Sequence, residues 1–223
     1  MTAMNAMIEP NAVTLSMDTL VSRRDKKDGI VPAYFTQKFK FYPFTKSILC
    51  GTGDYNVIQK AMIFSENILS REVMTYTEMM SDFLFENKFN LNKETSTIYI
   101  FGFDENLLLH AFALRSTNNY EIEEIANYRQ PNFIVKPGYQ TMMDYLNSLK
   151  NESTDDIFIK LMRKEKEIDA TVPLEKKVGI GGENTVISLT TDNGKLLSVV
   201  KVIDTFEDYD QQYQYCLDHI NDN

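Results

Sequence analysis

Ala3-Met-Asn-Ala-Met-Ile8, then Glu9-Pro-Asn11, then Val13-Thr-Leu-Ser-Met-Asp18. Two short apolar runs flank a stretch with turn chemistry, which reads as a β-hairpin at the head of the chain. Ser22-Arg-Arg-Asp-Lys-Lys-Asp-Gly29 follows and reads as a charged, solvated loop. Tyr34 to Phe41 alternates, with Phe35, Gln37, Phe39 and Phe41 on one face and Lys38 and Lys40 on the other. That period of two predicts a strand. Lys46 to Cys50 predicts another, ending in Gly51-Thr-Gly53-Asp54.

The period then changes. Ile58, Ala61, Met62, Ser65 and Ile68 fall at helical spacing, and Asp54 can cap that helix. Thr75-Tyr-Thr-Glu78 has the form of a capping box before Met79, Met80, Phe83 and Leu84. Methionine on such a face is core filler. Thr97 to Phe103 and Leu107 to Leu114 predict a hairpin around Asp104-Glu-Asn106. A polar stretch leads to Pro137-Gly138 and a helix with Tyr139, Met142, Met143 and Leu146 on one side. A further helix starts near Ser153-Thr154 and carries Ile157, Leu161 and Met162. Val178 to Thr190 and Lys195 to Val202 form a last hairpin around Asp192-Asn-Gly194, a strong turn signal. Phe206 to Ile220 reads as an acidic helix.

Strands, two helices, strands, two helices, strands is not the strict alternation of a doubly wound fold. It predicts an α+β class with two stacked antiparallel sheets, each covered by a helix pair. Residues 1–223 read as one domain, with 204–223 an acidic C-terminal helix or tail.

Composition narrows the function. The chain has 223 residues, 43% hydrophobic and 25% charged, the proportions of a globular protein able to bury a core. Its net charge of −9 argues against nucleic acid and against an anionic membrane surface, because both need a basic face. No apolar run approaches the length of about 18 residues that a membrane helix needs. There is no signal-peptide pattern, and Cys50 and Cys216 read as two free thiols. A cytoplasmic location is expected.

Several familiar motifs fail. Gly51-x-Gly53 lacks the third glycine of a dinucleotide loop, since Asn56 stands there. Gly179-Ile-Gly181-Gly182 runs into strand-like sequence, whereas a phosphate loop needs a helix N-terminus. His110 and His219 are far apart with no cysteine pairs beside them, which argues against zinc. No metal and no organic cofactor is expected.

Thr2 follows Met1, and methionine removal favours a small second residue. A terminal threonine would hold a hydroxyl and a free α-amine on one residue. The amine's reference pKa of about 7.7–8.0 lets it act as a base near neutrality. Thr2 stands sixteen positions before Asp18, which ends Val13-Thr-Leu-Ser-Met-Asp18. Lys38 lies in the next alternating run, and Cys50-Gly-Thr-Gly-Asp54 leads into the two helices. In this ordered set the sequence resembles the proteasome β-subunits and their bacterial two-component relative, the N-terminal-nucleophile (Ntn) hydrolases. The resemblance covers about residues 2–115 and continues more loosely through Gly181-Gly182-Glu-Asn-Thr-Val-Ile-Ser.

The resemblance implies a four-layer αββα sandwich and a threonine-type endopeptidase. Thr2 would be the nucleophile and its amine the base. Lys38, or alternatively Lys40, would favour the alkoxide, and Asp18 would hold that lysine. The backbone N–H of Gly51, or of Gly53, would serve as oxyanion donor. Substrates would be peptides or unfolded proteins. The relatives assemble into rings, so a homo-oligomeric ring and an unfoldase partner are further implications. The late chain departs from the family: Lys177 and Ile180 stand where it places an aspartate and a serine, and Lys136-Pro137 where it has another serine. A catalytically silent assembly subunit and a small-molecule amidase therefore stay open beside the peptidase.

Overall fold

A computed structural model describes residues 2–25, 27, 29–91 and 94–220. The opening hairpin is formed by β1 (Met4–Glu9) and β2 (Ala12–Asp18). Next come β3 (Leu20–Asp25), β4 (Gly29–Phe35), β5 (Phe39–Tyr42) and β6 (Ser47–Gly53). Helices α1 (Tyr55–Ser65) and α2 (Val73–Glu86) follow, then β7 (Ser96–Phe103), β8 (Leu109–Arg115), β9 (Ile122–Asn127) and β10 (Asn132–Lys136). The chain continues through α3 (Met142–Ser148), α4 (Thr154–Thr171), β11 (Glu183–Asp192), β12 (Lys195–Thr205) and α5 (Tyr209–Asp218).

Among the described residues these make three antiparallel sheets and five α-helices, a mixed α/β architecture. One five-stranded sheet runs β10-β1-β2-β11-β12, the other β5-β6-β7-β8-β9, and β3-β4 form a separate ribbon. Side-chain alternation decides what each face meets. Met4, Ala6 and Ile8 of β1 and Val13, Leu15 and Met17 of β2 point to one side. There they join Ile48, Tyr99, Phe101 and Phe103 of the other sheet in one buried cluster. Each such Leu, Ile or Phe stabilises the stack by about 1.5–3 kcal/mol. The opposite face of the second sheet, with Leu49, Ile98, Ile100, Phe112 and Leu114, packs on Val57, Ile58 and Ala61 of α1 and Tyr76, Met80 and Leu84 of α2. The opposite face of the first sheet is covered by α3 and α4 through clusters around Met142, Phe158, Leu161 and Met162.

Four sequence expectations need correction. The predicted charged loop at 22–29 falls in the β3-β4 ribbon, with Lys26 and Asp28 outside the described residues. The predicted strand from Tyr34 to Phe41 is broken at 36–38: the Thr36 N–H adds a last rung to the β3-β4 ladder by donating to the Thr19 carbonyl at 2.9 Å, and the chain then crosses to the second sheet, where β5 begins at Phe39. Helix α2 begins at Val73 rather than at the Thr75 capping box, since the Glu72 carboxylate caps it by accepting from the Met74 N–H at 2.8 Å. Its Met79 faces solvent. Strands β9 and β10 occupy a stretch read only as polar. The helix cap at Asp54 and the turn at Asn193-Gly194 stand as expected.

Candidate functional site

The site lies where β1 begins and β2 ends. In the hairpin register Met4 faces Met17, which brings Ala3 beside Asp18. Asp18 is buried and receives three donors. The Ala3 N–H donates to Oδ1 at 3.1 Å, the Lys38 ammonium to the same oxygen at 2.9 Å, and the Gly181 N–H to Oδ2 at 3.3 Å. One carboxylate thus ties together the residue after Thr2, the loop before β5 and the loop before β11.

Lys38 is itself buried, in the irregular link between β4 and β5. Burial pulls its pKa down, and the neighbouring Asp18 charge works against that pull. Lys40, two residues on, faces outward on β5 and pairs with Glu66 at the surface. The alternation that grouped the two lysines breaks down at the bend, so Lys38 alone meets Asp18.

Thr2 is 4% exposed and lines a cavity of about 180 Å³ with Thr52, Gly53, Ser96, Thr97, Lys136 and Val178. Gly51 is not a wall of this cavity; its two successors are. The glycine at 51 answers to packing, because a Cβ there would stand 2.7 Å from Ile58 Cγ1 and 2.9 Å from the Thr97 carbonyl. Gly53 has a φ of +99°, a conformation for which glycine is suited. Pairing of β5 with β6 stops at Cys50, whereas pairing of β7 with β6 runs on to Gly53. One backbone edge of Gly51-Thr52-Gly53 is therefore left without a neighbouring strand.

Behind Asp18 lies a polar cluster that sequence reasoning missed. Asn5 donates through Nδ2 to Glu165 Oε2 at 2.9 Å, and Ser16 donates to Asn184 Oδ1 at 2.6 Å. Glu165 is fully buried, and burial drives its carboxyl well above the usual range. The Asn5 hydrogen bond opposes this shift and the Asp18 charge adds to it. Asp169, one turn further along α4, accepts from the Val178 and Gly179 N–H groups at 2.7 and 2.9 Å and from the Tyr139 hydroxyl at 3.0 Å. The family's aspartate is absent near the paired glycines, but a carboxylate reaches that loop from the helix instead. The signal was in the spacing: residues 158, 161, 162, 165 and 169 continue one helical stripe, which places two acids on the buried face.

His110 stands away from the site, on β8, with Nδ1 2.8 Å from Glu124 Oε1. Among the described residues no group of histidine, cysteine or acid side chains is arranged to hold a metal. No helix there is long and apolar enough to cross a membrane.

Three solved structures align with essentially the whole chain. The Gly-1 mutant of Anbu from Hyphomicrobium sp. strain MC1 matches with a TM-score of 0.64 at 12% identity, over 100% of this chain and 96% of that one. The fold is proteasome-like. Anbu from the same Hyphomicrobium strain gives a TM-score of 0.62 at 12% identity, covering 100% and 94% of the two chains. Anbu from Yersinia bercovieri, described as an ancestral β-subunit, gives 0.61 at 11% identity, over 99% and 93%. No protein-family model matches the sequence, and no curated protein matches it. Identities this low speak to the fold alone.

Proposed function

We propose that this chain is a threonine peptidase built on a four-layer αββα sandwich, with Thr2 as its N-terminal nucleophile. The observation that carries the reading is the Asp18 carboxylate, which holds the Lys38 ammonium at 2.9 Å and the Ala3 N–H at 3.1 Å, directly after Thr2. Met1 lies outside the described residues, and its removal is part of the proposal.

With the α-amine free, the amine takes the hydroxyl proton as Thr2 Oγ attacks a peptide carbonyl. The Lys38 charge favours the developing alkoxide, and Asp18 fixes the ammonium in place. The carbonyl oxygen gains negative charge, for which a backbone N–H of Gly51 or Gly53 is the donor. Gly53 is the better placed, since it lines the Thr2 cavity. The protonated amine returns its proton to the departing nitrogen as the C–N bond breaks. Water then cleaves the ester and restores the hydroxyl. The open edge at Gly51-Thr52-Gly53 suits a peptide added as an extended strand.

The same reading includes a homo-oligomeric ring, for which the exposed apolar residues Leu197, Val199, Val200 and Val202 of edge strand β12 offer a surface. It also includes a cytoplasmic chamber fed by an unfoldase partner.

One observation favours a second reading, a catalytically silent assembly subunit: Thr2 is almost closed off, in a cavity of only about 180 Å³. A peptide epoxyketone separates the two when intact mass is read before and after treatment. The peptidase loses Met1 and gains one adduct at Thr2, and Thr2→Ala gains none. A retained methionine, or an adduct elsewhere, refutes the mechanism.

A further inference from the structure

The largest cavity near the site lies beside the Thr2 cavity, about 600 Å³ between β8, β9, β10 and the start of α3. Strand register explains why the two adjoin. Lys136 ends β10 opposite Met4, two residues from Thr2, and it lines both cavities. Arg115 ends β8 opposite Thr97, a wall of the Thr2 cavity. Two cations thus meet at one rim in a chain whose net charge is −9.

Their counter-charges are unequal. Glu123 is engaged by Arg115, whose Nε donates to its Oε2 at 2.7 Å. Glu124, which like Glu123 lines the cavity, is engaged by His110 at 2.8 Å and Asn127 at 3.1 Å. Among the described residues, no hydrogen bond or ion pair engages the Lys136 ammonium. Burial lowers the Lys136 pKa, and the charge of Arg115 lowers it further, against a weaker pull from Glu123. Tyr99 also lines the cavity; its side chain is 1% exposed and its hydroxyl lies near Arg115 and Thr52.

We propose that this cavity is an anion-accepting subsite, in which Lys136 and Arg115 receive a carboxylate of the peptide bound at Thr2. This rests on the peptidase reading and names its preferred substrate: a peptide with an acidic side chain or a free C-terminus near the cleaved bond. A carboxylate there gains a charge-assisted hydrogen bond from the Lys136 ammonium, with Arg115 and its Glu123 partner at the same rim.

The test uses three labelled octapeptides on the full chain carrying Thr2→Ala, with binding read by fluorescence anisotropy. One has a single glutamate and an amidated end, the second glutamine and an amidated end, the third glutamine and a free carboxyl end. One or both carboxylate-bearing peptides should bind about tenfold more tightly than the neutral one, and raised salt should shrink that gap. Which of the two does so assigns the source of the carboxylate. In Lys136→Met the gap should close, with an unchanged circular dichroism spectrum and melting temperature as the control for folding. Equal binding of all three peptides, no binding of any, or a preference that survives Lys136→Met overturns the subsite. Epoxyketone labelling of the chain with its native Thr2 keeps the two readings apart. Labelling without charge preference refutes the subsite alone, and charge preference without labelling refutes the peptidase alone.

Discussion

Replacing Lys38 by Met should cost this protein about 3 kcal/mol of stability. The ammonium and the Asp18 carboxylate are 2.9 Å apart and both are buried, so their attraction is about 6 kcal/mol at an effective dielectric of about 20. Withdrawing two charges from water offsets most of that. The pair is thus worth little against an apolar pair of the same shape, while either partner alone is expensive. Breaking a buried pair by one substitution costs about 3–5 kcal/mol. Asp18 keeps the Ala3 and Gly181 N–H donors when Lys38 is lost, so Lys38→Met should sit near the lower end, about 3 kcal/mol. Asp18→Asn leaves the buried ammonium without its counter-charge and should cost at least as much. The double variant Lys38→Met/Asp18→Asn should recover most of the loss. Urea unfolding followed by circular dichroism measures all four proteins, with unchanged m-values as the check for a common two-state transition. Single costs below about 1 kcal/mol, or strictly additive losses in the double variant, would refute the claim that this is a coupled buried pair.

Glu165 gives a pH dependence. Its folded pKa lies well above the reference value of 4.5, so the native state binds the proton more tightly than the unfolded chain. Stability should therefore fall as pH rises from that value towards the folded pKa, and Glu165→Gln should remove the fall. The amide also brings a donor to a cluster in which Asn5 Oδ1 has no partner. Thermal melts of the two proteins at pH 5 and pH 8 should diverge only at the higher pH, by about 1–2 kcal/mol, and parallel curves would refute the assignment. Gly51→Ala should destabilise by about 1–3 kcal/mol in urea, because its Cβ would press on Ile58 and on the Thr97 carbonyl, while an unchanged midpoint would mean that α1 yields freely. Leu197→Lys with Val199→Lys should reduce particle size in sedimentation and leave the monomer's melting temperature within experimental scatter, since both side chains are already about half exposed. A particle of unchanged size would move the interface elsewhere.

Elements that bury one clean face were legible in the sequence, and elements that do not were missed. The β1-β2 hairpin alternates between the sheet core and the helices, so its apolar positions announce its period. Strand β9 carries Ile122-Glu-Glu-Ile125 at a sheet edge and is exposed over its first half, so a solvated loop and a solvated strand look alike there. The β3-β4 ribbon is only partly buried, and its Ser22, Arg23 and Arg24 hide a strand in a run of charge. Arg24 then spends its guanidinium on the Glu175 carbonyl, a partner 151 residues away that no local pattern announces.

The same distinction runs through the site. Thr2, Asp18 and Lys38 were named together because the resemblance carries an ordered spacing, yet the reason given for Lys38, its face on a continuous strand, does not hold. Lys38 reaches Asp18 because the chain leaves the β3-β4 ribbon after Thr36 and crosses to the second sheet through residues 37 and 38 before β5 begins. Had the strand continued, Lys38 and Lys40 would have shared one environment. Instead one is buried on a carboxylate and the other is 44% exposed on Glu66. What separates the two lysines is thus the crossing from the ribbon to the second sheet, which leaves Lys38 in the link and Lys40 on β5. Thr19, at the ribbon's end, is fixed by the Glu183 N–H, which donates to its hydroxyl at 2.8 Å. Spacing in the sequence can nominate both lysines, but only the change of sheet between β4 and β5 chooses between them.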